Sequence, residues 1–214
     1  LKKENPEASR KDAEAKVTLS VDSILVEKKD EFRKMVIESH GYYYRLMMEE
    51  IRTTLAELPE RFPSYEGQGY EISGFVWFQG WNDQYNDFQN EYAENMKNFI
   101  KDVRKDLNSP KLPFVIGIMG QNGLKEAKGN MAIVKAAQAS MNDVGEFKGN
   151  VRAIPTDVYW DKKADEAYPT WRQNFEEWKK IGSDHSYHYL GSTLFFSRAG
   201  KGFAQTMLAL ITNS

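Results

Sequence analysis

Between residues 41 and 58, Tyr44, Met47, Met48, Ile51, Leu55 and Leu58 recur at helical spacing, with Glu49, Glu50, Arg52 and Glu57 mostly on the other side. That period predicts one amphipathic helix, ended before Pro63. Residues 70–78 then read as a strand, and a second helix carries Phe88, Tyr92, Met96, Phe99, Ile100, Val103 and Leu107. Pro110 and Pro113 bracket its end and lead into residues 114–119, an apolar run of the kind that a strand buried on both faces shows. A helix over 124–141, a strand over 150–154 and helices over 164–181 and 192–212 complete the series. Upstream, residues 17–26 fit a strand through Val17, Leu19 and Val21, or a helix through Val17, Val21, Ile24 and Leu25; we take them as helix. Strands alternating with crossover helices of ordinary length predict an α/β fold, a three-layer α/β/α sandwich around a mainly parallel sheet.

Composition narrows the classes further. A chain of 214 residues, 41% hydrophobic and 28% charged, accommodates one domain or one domain with an appendage. Lys, Glu, Ala and Asp dominate its start, so residues 1–40 are expected to be a charged arm or linker, largely helical, and 41–214 the folded domain. A net charge of -2 gives no electrostatic reason to expect nucleic acid or a membrane surface as partner. No apolar run approaches the roughly 20 residues that a membrane span needs. Without cysteine there is no disulfide framework, thiolate nucleophile or thiolate metal site, and the compartment stays undecided.

Candidate chemistry gathers in two places. The heptapeptide Trp77-Phe78-Gln79-Gly80-Trp81-Asn82-Asp83 ends the first strand on polar groups, which is where open α/β sheets place their sites. Gln79 and Asn82 each offer an amide donor there. The second place is residues 182–192, which hold two of the three histidines, His185 and His188, beside Asp184. A metal site from these three lacks a separated further ligand, so neither metal nor cofactor is expected.

Gly80-Trp81-Asn82-Asp83 resembles the third sequence block of the SGNH hydrolases, a family of serine esterases. The stretch from Trp77 to Gly80 resembles the signature of that family's sialate and carbohydrate O-acetylesterase branch, and residues 188–204 resemble the branch's C-terminal block. The resemblance implies an SGNH/flavodoxin-like fold and hydrolysis of acetyl esters on carbohydrate. It makes His188 the base, with His185 second. The oxyanion donor is Asn82 by the superfamily pattern and Gln79 by the branch pattern, with Gly80 between them. Trp81, Asp83, Gln121 and Asn122 become candidates for substrate contact, and a periplasmic or secreted location is implied. The family's orienting aspartate stands three residues before the base, where this chain has His185; the role falls to Asp184, to Asp157 or to a backbone carbonyl.

The family's nucleophile block, Gly-Asp-Ser or Gly-Gln-Ser-Asn, has no match in the sequence. Ser183 and Ser186 sit on the base's own loop, and Ser20, Ser23 and Ser39 lie in the amino-terminal region with no strand-to-helix turn. The chain begins at Leu1, and the expectation is that the first strands and the serine belong to a missing N-terminal segment or to a separate chain of the same precursor. The alternative is a non-catalytic SGNH-like domain that binds glycan or protein.

Overall fold

Good helix formers, chiefly Glu, Lys and Ala, fill the 34 residues of α1 (Pro6–Ser39), which contains the ambiguous 17–26 stretch. The helix stops at Gly41, whose φ of 67° is left-handed and suits a residue without Cβ. Arg45 closes the end by donating to the carbonyls of Glu38 and His40. Helices α2 (Tyr42–Ala56) and α3 (Leu58–Arg61) follow, close to the amphipathic pattern. This computed structural model describes residues 6–212, with side chains from residue 23 onward, and residues 1–69 and 70–214 form two units.

The second unit is α/β. Strands β1 (Phe75–Trp77), β2 (Phe114–Ile118) and β3 (Val151–Pro155) form a parallel sheet in the order β1-β2-β3, with Phe75 opposite Phe114 and Phe114 opposite Val151. Helices α4 (Tyr92–Asp106) and α5 (Gly129–Ser140) make the crossovers, and α6 (Lys162–Ala167), α7 (Phe175–Trp178) and α8 (Thr193–Thr212) follow β3. Phe114, Val115 and Ile116 are fully buried, as a strand with both faces covered requires. On one face Phe99 of α4 packs against Phe75, Trp77 and Phe114. Alternation sends Gly117 to the opposite face, where a Cβ would come within 2.8 Å of Phe203 of α8. The glycine is what lets α8 approach.

Several elements differ from the sequence pattern. Phe88, expected in the second helix, stands in a separate 3-10 turn, Phe88–Asn90, before α4. The 70–78 strand shrinks to β1, because β2 is its only partner among the described residues and pairing starts at Phe75. The 124–141 helix starts only at Gly129, after the polar stretch Lys125 to Lys128. The 164–181 segment is broken: Pro169 sits in a 3-10 turn, Tyr168–Thr170, between α6 and α7. That break matters for the site, since Trp160, Ala164, Trp178, Tyr189, Leu190, Phe195 and Ala199 pack into one core beneath the histidine loop.

Candidate functional site

The turn after β1 is held from below by Gln138 of α5, which is fully buried. Its Nε2 donates to the Gln79 carbonyl at 2.7 Å and lies 3.1 Å from the Tyr92 hydroxyl, while its Oε1 accepts from the Met119 amide at 2.8 Å. One side chain thus ties the ends of β1 and β2 to α5. Gly80 follows with φ 146°, and a Cβ there would come within 2.8 Å of Gln138 Nε2. The Tyr92 hydroxyl donates to the Gln79 carbonyl at 3.2 Å, and burial raises its pKa from the ordinary 10.0 to about 12, so it remains a neutral donor.

The side chains above this turn differ in commitment. Gln79 Nε2 donates to Asp83 Oδ2 at 2.6 Å. Asn82 is exposed, and its side-chain amide has no partner among the described residues. Gly80 is buried, and Trp81 and Asp83 are half-buried.

The histidine loop is closed by backbone bonds. The amides of Ser183 and Asp184 donate to the Leu190 carbonyl, and the amides of His188 and Leu190 donate to the His185 carbonyl. To fold this tightly the chain takes Tyr189, Leu190 and Gly191 all through positive φ, at 56°, 62° and 58°. Bulky side chains rarely adopt that region, and burial of Tyr189 and Leu190 in the underlying core opposes the strain. The result brings Asp184 Oδ2 to 3.0 Å from His188 Nδ1. The other carboxylate oxygen accepts from the His185 amide at 2.7 Å, and this bond, followed by the contact with His188, holds the Asp184 carboxyl below its usual range. His188 Nε2 has no partner among the described residues, and its side chain is 62% exposed. The loop's exit is anchored: the Ser192 hydroxyl donates to Asp161 Oδ2, while Asp161 Oδ1 caps α6 through the amides of Lys163 and Ala164.

Tyr187 joins the two places. Its ring lies 5.9 Å from Trp81 and 4.5 Å from His188, and its carbonyl accepts from Gln121 Nε2 at 3.3 Å. The His185 ring stacks on it as well, so Trp81, Gln121, His185 and His188 surround one tyrosine at the carboxyl end of the sheet. Asn122 is exposed at φ 70°, with no side-chain partner among the described residues. Asp157, considered for orienting the base, pairs with Lys135 at 2.9 Å instead. Among the described residues no group of three or more carboxylates and histidines is placed to hold a metal, and no helix is long and apolar enough to cross a membrane. Sequence reasoning missed Gln138, Tyr92 and Tyr187. Gln138 alone carried a signal, as a polar side chain among apolar helix positions.

Residues 27–164 match the family described as carbohydrate esterase, sialic acid-specific acetylesterase. No curated protein matches. Among solved structures, a protein from Arabidopsis thaliana is similar at 20% identity with a TM-score of 0.42, over 73% of this chain and 51% of that one. The chain thus spans about half the length of that relative. Because the family match covers well over half of the sequence, and includes the Gln79 to Asp83 turn, the chain belongs to the SGNH-like, sialic acid-specific acetylesterase family of carbohydrate esterases.

Proposed function

We propose that this chain supplies the base and the oxyanion donors of a serine-type carbohydrate O-acetylesterase, and that the nucleophilic serine comes from a segment outside these residues. The observation that carries the reading is the 3.0 Å pairing of Asp184 with His188, on a loop that touches the turns after β1 and β2. With Nδ1 donating to Asp184, Nε2 of His188 is left as the proton acceptor. It removes the proton from a serine hydroxyl as the oxygen attacks the acetyl carbonyl. Asn82, whose amide is uncommitted, donates to the oxyanion, while Gln79 is engaged by Asp83. The imidazolium then returns its proton to the departing sugar oxygen, leaving an acetyl-serine. Water, deprotonated by the same nitrogen, releases acetate and restores the serine.

Among the described residues β1 has one sheet neighbour, so a further parallel strand has a free edge to occupy. In this reading the serine stands at the end of that strand, in a larger three-layer sandwich of which residues 41–214 are the C-terminal portion and 1–40 an arm or linker. Trp81 and Tyr187 flank the sugar, with Asp83, Gln121 and Asn122 nearby. The test is acetate release from an acetylated sugar by the complete protein. His188→Ala abolishes it, and activity that survives removes His188 from the mechanism.

A second reading, a non-catalytic domain that binds glycan or protein, has one observation in its favour. Among the described residues no serine hydroxyl is bonded to His188; Ser183 donates to the Gly191 carbonyl and Ser192 to Asp161.

A further inference from the structure

A cavity of about 80 Å³ opens beside the histidine loop, lined by Tyr168, Trp171, Trp178, Ser183, Asp184 and His185. His188, Gln79 and Asn82 do not line it, so it is a neighbouring space that shares only Asp184 with the proposed reacting centre. Its walls are set in advance. Tyr168 packs on Trp178 with ring centroids 5.5 Å apart, and Trp178 is buried in the core. The His185 ring stands edge-on to both Tyr168 and Trp171, at 6.1 Å and 89° in each case. The Tyr168 hydroxyl and His185 Nδ1, 2.6 Å apart, lock that orientation.

The lining selects the charge of an occupant. Asp184 is its one acid, and no lysine or arginine lines it. Aromatic faces are electron-rich, so an anion meets repulsion from the walls and from the carboxylate. A neutral apolar group would strip water from the Asp184 edge and give nothing back. A small cation satisfies both. Trp171 already draws one from within the chain: the Arg172 guanidinium, which does not line the cavity, lies 5.2 Å from its ring centroid. A water occupies about 30 Å³ of liquid, so this volume admits a group of a few heavy atoms and excludes a sugar ring.

We propose that this cavity binds a small organic ammonium ion, held against Tyr168, Trp171 and Trp178 and paired with the Asp184 carboxylate. The assignment goes beyond the esterase reading and does not depend on it. The experiment follows the indole N–H resonances of the whole chain during titration with methylammonium chloride. Potassium chloride at equal ionic strength and ethanol, a neutral molecule of similar size, are the controls. Methylammonium shifts the Trp171 and Trp178 signals saturably, with a Kd on the order of 10 mM, and neither control does. Asp184→Asn keeps the walls and weakens binding at least about fivefold; Trp171→Leu, checked for folding by circular dichroism, abolishes it. Saturation by ethanol at the same concentrations, unchanged binding by Asp184→Asn, or no saturable shift with methylammonium overturns the assignment. If Trp171→Leu does not fold, Asp184→Asn decides.

Discussion

Asp184 Oδ2 and His188 Nδ1 face each other at 3.0 Å across a loop in which Tyr189, Leu190 and Gly191 all have positive φ. The spacing of four residues is that of adjacent helical turns, yet the backbone here is a closed loop held by the Leu190 and His185 carbonyls. An ionised Asp184 fixes the tautomer of His188 that leaves Nε2 free.

Asp184→Asn therefore removes the partner that selects this tautomer. On the esterase reading, it lowers kcat of the complete protein by about 10³- to 10⁴-fold with little change in KM. Steady-state kinetics on an acetylated sugar check this. The Asp184 carboxyl titrates below the ordinary aspartate value of about 3.9, a direction set by its bond from the His185 amide. With the folded value depressed, the contribution of Asp184 to stability is present above the unfolded pKa and is lost as pH falls through the folded one. A carboxyl ¹³C titration with its midpoint above about 3.9 would contradict this.

Asn82 and Gln79 separate by single substitution. Asn82→Ala lowers kcat by about 10²- to 10³-fold, the effect of losing one oxyanion donor. Gln79→Ala has a smaller effect, because its amide is already bonded to Asp83. The reverse order of effects would make Gln79 the donor.

Gly191→Ala strains the loop at a position where φ is 58° and a Cβ would come within 2.8 Å of the Asp184 amide and against Ser183 Oγ. The left-handed conformation alone costs roughly 1–2 kcal/mol for a residue with Cβ. The melting temperature falls by about 2–8 °C. NMR of the histidine ring nitrogens shows whether the Asp184–His188 bond is lost with it.

Gln138→Leu tests the support beneath the turn. It leaves the Met119 amide without its buried partner and takes one donor from the Gln79 carbonyl, at a cost of about 1–3 kcal/mol for the orphaned amide. Urea unfolding measures the loss.

What was legible in the sequence follows from local physics. The 114–119 run is typical of a strand buried on both faces, and the fold places β2 over Phe114–Ile118. The helix over residues 41–58 announced itself by period, and it forms as α2 and the short α3. The 70–78 strand was overread because alternation says nothing about whether a neighbouring strand exists to pair with. The break at Pro169 was overlooked inside an apolar period, although the ring removes a helix donor. For the site, the family resemblance singled out Gln79 to Asp83 and His188 and left Asp184, Asp157 and a backbone carbonyl as alternatives beside the base. That Asp184 is the one that meets His188 was not legible. Its approach to His188 depends on left-handed backbone at Tyr189 and Leu190, which ordinary propensity argues against. Tyr187 was invisible for the same reason, since only the closed loop carries it to Trp81.

The most direct measurement of the central claim is labelling of the protein, purified from its source, with a serine-directed fluorophosphonate, followed by peptide mapping. The account predicts one adduct, on a serine outside these 214 residues, with labelling lost in His188→Ala. An adduct on a serine within this sequence, or labelling that persists without His188, would contradict it.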